Sequence, residues 1–171
     1  MKTQILIISR LWILFLAVAS LCFAGLAVAQ DPASNKSSSL RTKDKTFMRK
    51  AAKGGMFEVA MGNLAKEDAK NTDVKSFGER MVTDHSKAND ELKSIAEQKG
   101  VQLPSKEPNE KWTSDEEYMN AMVKDHQKDL AEFQEEANTG TDPDVKKFAE
   151  DTAKMIQEHL DLAKETQNKL K

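Results

Sequence analysis

The chain has three histidines, and each closes the same five-residue phrase: Met81-Val-Thr-Asp-His85, Met122-Val-Lys-Asp-His126 and Met155-Ile-Gln-Glu-His159. A four-residue spacing stacks methionine and histidine on one face of a helix. Imidazole binds transition metals and carries protons near neutral pH, so three such faces meeting in one core would make a metal site or a buried polar network. Two acids on apolar stripes join the set: Glu58, among glycine, alanine and methionine, and Asp129, one turn beyond His126. An ionised carboxylate in such a stripe is costly unless a cation or a proton accompanies it. Glu58, His85, His126, His159 and Asp129 are therefore the candidate metal ligands, a mixed nitrogen and oxygen set suited to iron, manganese or zinc.

The thioethers of Met61, Met81, Met122 and Met155 raise copper(I) as a weaker alternative, against the plainer role of methionine as a filler between helices. Asp84, Asp125 and Glu158 each precede a histidine, about 100° round the helix, which puts them behind the ligands or on the surface. The competing reading is a hydrogen-bond network in which Glu58 accepts from His85, with Asn89 nearby, and whose only task is to fix helix register.

Four helices must position these groups. Apolar periodicity begins near Thr42 and predicts a first helix to about Lys70 whose inward stripe runs Phe47, Ala51, Gly54, Gly55, Glu58, Met61, Gly62 and Ala65. Asn71-Thr72-Asp73 supplies turn and cap chemistry for a second helix ending at Gly100. Pro104 and Pro108 keep residues 101–114 out of a long helix, and about 14 extended residues reach as far as a helix of about 28. That segment can cross the whole bundle, with Trp112, Leu103 and Pro104 pinning it. Thr113 and Ser114 cap a third helix, and Asp142 with Pro143 starts the fourth. The two hairpins repeat at an offset of 71 residues: Asp73-Val-Lys-Ser-Phe77 matches Asp144-Val-Lys-Lys-Phe148, and Glu58 matches Asp129. The fold class is all-α, a ferritin-like antiparallel four-helix bundle of two hairpins joined by a long crossover. Lys66-Glu67-Asp68 and the run Glu132, Gln134, Glu135, Glu136 read as solvated faces.

The count from each hairpin turn places Glu58 beside His85 and His126 beside His159, with the two pairs about one helical turn, ~5 Å, apart in level. The Glu-x-x-His signature of di-iron bundles is absent, because Val82, Val123 and Ile156 stand three residues before the histidines. With no Ser/His/Asp order, phosphate loop or cysteine motif, an enzyme is the less supported class.

Residues 1–29 read as a signal peptide: Lys2 and Arg10 precede an apolar run that ends in Ala27-Val28-Ala29. Residues 30–41 read as a flexible tether and 42–171 as the bundle domain. Removal of the leader takes away Cys22, the sole cysteine, and leaves 28 acids against 24 bases, a net charge of −4. An acidic chain without a basic run argues against nucleic acid as a partner, and no ten-residue alternating strands exist for a transmembrane barrel. The expected location is periplasmic or secreted, and the open partners are a second copy or another envelope protein.

The order Phe47…Ala51-Ala52-x-Gly54-Gly55-x-x-Glu58…Gly62-x-Leu64-Ala65, Val74-Lys75-x-Phe77…Met81-Val82-x-Asp84-His85, Leu103-Pro104, Tyr118…Met122-Val123-x-Asp125-His126 and His159 resembles the domain of unknown function 4142 family over about residues 43–168. The resemblance implies an exported bacterial protein with a ferritin-like bundle and no established reaction. The family's recurrent Glu and His positions match Glu58, His85, His126 and His159. A role in metal handling or in oxidative or envelope stress is the functional expectation, with a structural envelope protein as the alternative.

Overall fold

The computed structural model describes residues 40–106 and 108–171, which form one compact unit. The expected leader and residues 30–39 of the expected tether lie outside the described residues. Leu40, assigned to the tether, is instead buried in the core.

Among the described residues four helices run α1 (Thr42–Asp68), α2 (Thr72–Lys99), α3 (Asp115–Thr139) and α4 (Pro143–Lys169). Their ends follow the capping chemistry. Asn71 Oδ1 accepts from the backbone N–H of Asp73 and Val74, Ser114 Oγ from Glu117, and Asp142 Oδ1 from Asp144 and Val145. Pro143 takes the first helical position of α4, and Gly100, at φ +64°, closes α2 in a conformation that favours glycine. None of the four helices is long and apolar enough to cross a membrane.

Each helix contributes to two apolar clusters, one at each end of the bundle. One cluster holds Phe47 of α1, Leu92 and Ala96 of α2, Phe133 of α3 and Val145 and Phe148 of α4. The other holds Met61 and Ala65, Val74 and Phe77, Tyr118 and Met119, and Ala163. The order of these residues along each helix shows that α1 and α4 run one way and α2 and α3 the other. Helix neighbours are α1–α2, α3–α4, α2–α4 and α1–α3, so every adjacent pair is antiparallel and the parallel pairs lie on the diagonals. Residues 101–114 must return along the bundle to make this possible, as in the ferritin-like connection. Leu103 packs against the first cluster and Trp112 against the second, its ring 5.4 Å from that of Tyr118, so the crossover is pinned at both ends. Gly62 and Gly78 let α1 and α2 approach closely: a Cβ on either would stand 2.8 Å from the carbonyl oxygen of the other.

The 71-residue repeat is realised in a pair of carboxylates. Asp115, at the start of α3, accepts from the N–H of Lys70 and Asn71 in the α1–α2 turn. Its repeat mate Asp44, at the start of α1, accepts from the N–H and hydroxyl of Thr141 and the N–H of Asp142 in the α3–α4 turn. Each hairpin thus clamps the turn of the other, and orphan backbone donors at both turns are satisfied.

Glu136 departs from the solvated face expected of its run and is buried. Gly140 leaves room for it, since a Cβ there would stand 2.6 Å from the Glu136 carboxyl oxygen. Burial first, and then the neighbouring Asp44 charge, push the Glu136 carboxyl from an ordinary 4.5 to about 7. A folded value above the unfolded one means the contribution of Glu136 to stability is fully present below about 4.5 and is lost as the pH rises through about 7. Glu136→Gln should therefore be more stable than wild type at pH 8, with the advantage shrinking toward pH 5. Urea midpoints in chelator at both pH values check this, and an advantage that grows toward pH 5 would contradict it.

Candidate metal centre

Between the two apolar clusters lies a layer without an apolar core side chain at its centre. Each helix contributes one residue to it at mid-length: Glu58, His85, His126 and His159, with exposures of 1%, 6%, 1% and 0%. Periodicity accounts for their placement, because each histidine sits one turn from a methionine or isoleucine already on the inward stripe.

The three imidazoles meet. Their ring centroids are separated by 5.2 Å (His85–His159), 5.5 Å (His126–His159) and 5.7 Å (His85–His126), and one nitrogen from each ring lies within 4.8 Å of the others. The one-turn offset counted from the turns does not keep the rings apart. Hydrogen bonds fix two tautomers. His126 Nδ1–H donates to the Met122 carbonyl at 2.9 Å, and His159 Nε2–H donates to Asp84 Oδ2 at 2.8 Å. The opposite nitrogens, His126 Nε2 and His159 Nδ1, are left as buried lone pairs without a partner, and His85 Nε2 is likewise unpartnered. Buried nitrogens are rarely left unpaired, and three unpartnered ones on converging rings of a type that ligates metals fit a metal ion.

A carboxylate backs each of two imidazoles. Asp84, half-buried, is held in turn by Arg80, whose Nε lies 3.2 Å from it and whose Nη2 also donates to Glu158 at 2.7 Å. Burial raises the Asp84 carboxyl, but the bonds from His159 and Arg80 outweigh it and hold it below the ordinary carboxylate range. This chain of Arg80, Asp84 and His159 is the carboxylate–histidine support typical of metal ligands. Glu58 Oε1 lies 3.8 Å from His126 Nδ1, beyond hydrogen-bond reach, and Glu58 Oε2 has no partner. Glu58 therefore borders the back of His126 rather than its free nitrogen. Burial, then the charges of Asp129 and Asp125, raise the Glu58 carboxyl well above its usual range.

All three imidazoles are pushed below the ordinary histidine value. Burial is the main cause for each, with the neighbouring imidazoles adding to it at His85 and the His159 charge at His126, which falls to about 4. At neutral pH the cluster is uncharged and presents lone pairs, the form a metal binds.

Asp129 does not join the three imidazoles. It is half-buried, 3.5 Å from Lys128 Nζ, and it lines a groove between α1 and α3. Met81 and Met122 are buried in the cluster next to the layer, and Met155 packs against the cluster on its other side. Asn89 rests against the backbone of Gly55 and lines a separate groove, outside the imidazole layer. Tyr118 was not anticipated: it is buried, its hydroxyl has no partner, and burial followed by the Glu58 charge raises it far above its usual range. Tyr118 stands 71 residues after Phe47, and an apolar repeat mate gives no sign of a buried hydroxyl.

Residues 29–166 match the family described as a domain of unknown function, DUF4142. The chain belongs to that family. No curated protein matches it. Among solved structures it is similar to a two-domain protein from Anabaena variabilis that contains DJ-1/ThiJ/PfpI-like and ferritin-like domains, with a TM-score of 0.61 and 14% identity. The similarity covers 77% of this chain and 38% of that one, and at this identity it concerns the fold, here ferritin-like.

Replacement of Glu58 by methionine removes a buried, unpartnered carboxyl and keeps volume, so metal-free Glu58→Met should gain about 1–3 kcal/mol in stability. Urea unfolding in chelator checks this, and a loss of stability would show that Glu58 holds the empty bundle together.

Proposed function

We propose that this chain is an exported, non-hydrolytic metal-binding protein of the periplasm or the secreted fraction, in which His85, His126 and His159 hold one divalent transition-metal ion at the centre of the bundle. The observation that carries the reading is the set of three unpartnered, buried imidazole nitrogens, two of them fixed as lone pairs by hydrogen bonds on the far side of the ring. A network serving only helix register would pair these nitrogens with one another or with Glu58.

Charge supports the same reading. A dication among three neutral imidazoles in a dry core needs compensation, and Asp84 behind His159 and Glu58 beside His126 supply two carboxylates. Three imidazoles with carboxylate support suit zinc(II), iron(II) or manganese(II). Copper(I) is the weaker choice, because the thioethers of Met81 and Met122 lie in the adjoining apolar cluster rather than among the nitrogens. Such an ion supplies Lewis acidity or, for iron and manganese, redox capacity. The protein residues hold it, shield it from water and orient its imidazoles. We infer a task in metal handling or protection from oxidative stress.

Elemental analysis of the chain from residue 30, purified from its native compartment without chelator or affinity tag, tests this. Wild type should carry about one metal ion per chain, and a folded His85/His126/His159→Ala triple variant none. Absence of metal in wild type, even after anaerobic incubation with iron(II), manganese(II) and zinc(II), would leave the layer as core architecture alone.

A further inference from the structure

The imidazole layer lies between the two apolar clusters, and one of its members also borders a groove. Glu58, almost fully buried, also lines a groove of about 760 Å³ between α1 and α3 that the crossover borders. Its Oε1 is 3.8 Å from His126 and its Oε2 has no partner. Glu58 is thus the residue common to the groove and the layer.

The rest of the groove is acidic on its α3 side, with exposed lysines, among them Lys53 and Lys106, and apolar side chains around it. On α3, Asp125, Asp129 and Glu132 line it at four- and three-residue spacing, so their carboxylates follow one face toward the layer. On α1 the facing position is Gly54, where a Cβ would make ordinary contact with Asp129 Oδ2 at 3.5 Å and a longer side chain would enter the groove. Lys50 and Lys128 pair with these acids only from the rim, at 3.5 to 3.9 Å, and both are mostly exposed. The lysines satisfy the carboxylates loosely and can be displaced by a cation arriving from solvent.

We propose that the α1–α3 groove is the path by which a hydrated divalent cation reaches the three histidines, collected by Asp125 and Asp129 and admitted past Glu58 on the Nδ1 side of His126. This rests on the metal-binding reading above and adds its access and its selectivity for cations. Gly54 keeps the path open. Asp129, the repeat mate of Glu58, serves as a waypoint on it and not as a ligand of the bound ion.

Stopped-flow uptake of cobalt(II) by the metal-free full domain, followed by the absorption of the imidazole-bound ion, separates the two claims. At low salt, Asp129→Asn and Gly54→Leu should each slow uptake by about tenfold and leave the final stoichiometry at the wild-type level. Asp161→Asn, an exposed acid on α4 away from the groove, should match wild type. Salt should slow the wild type more than Asp129→Asn. Equal rates in all four proteins would overturn the path, and so would a lost equivalent of cobalt in Asp129→Asn, which would make Asp129 a ligand. Failure of wild type to bind cobalt through its histidines would instead defeat the metal-binding reading and the path with it.

Discussion

Four ionisable side chains are buried at one level between the two apolar clusters of the bundle, and the organisation of the fold follows from accommodating them. Apolar packing would favour a continuous seam. Instead the core is split into two clusters, and the groups between them are kept neutral or are backed by hydrogen bonds to Met122 and Asp84. The arrangement forgoes stability that apolar residues of similar size would supply. Stability has to come from elsewhere, and the crossed clamps of Asp44 and Asp115, the pinned crossover and the Gly62–Gly78 approach are where the structure provides it.

The pseudo-two-fold relation between the hairpins is kept at the ends and abandoned in the middle. Asp44 and Asp115 perform the same task on opposite turns, and Asn71 and Asp142 cap equivalent helices. In the layer the equivalences fail: Ile156 stands where the repeat would have His85, Gly55 where it would have His126, and Ala88 where it would have His159. Glu58 and Asp129 are both acidic, but one is buried beside His126 and the other faces the groove. The layer is thereby lopsided, with imidazoles on α2, α3 and α4 and a carboxyl on α1.

Much of this was legible because it is local or periodic. Helix ends came from Asn71, Ser114, Asp142, Pro143 and Gly100, whose cap chemistry acts within a few residues, and the inward histidines came from spacing alone. The crossed clamps were hidden because Asp44 and Asp115 resemble ordinary acidic first-turn residues until the opposite turn is beside them. Glu136 was misread for the same reason: a glutamate in a charged run reads as exposed, and only the room left by Gly140 and the proximity of Asp44 bury it. The separation of Asp129 from the imidazoles was also beyond periodicity, because helix phase gives the face of a residue but not which of two neighbouring spaces its carboxylate enters.

Convergence of the three histidine nitrogens on one ion is tested most directly by X-ray absorption at the zinc edge, on metal-free protein loaded with one equivalent of zinc(II). Three nitrogen scatterers at roughly 2.0–2.1 Å with imidazole outer-shell signals are expected. A first shell of oxygen alone, or the same spectrum from the triple histidine variant, would contradict it.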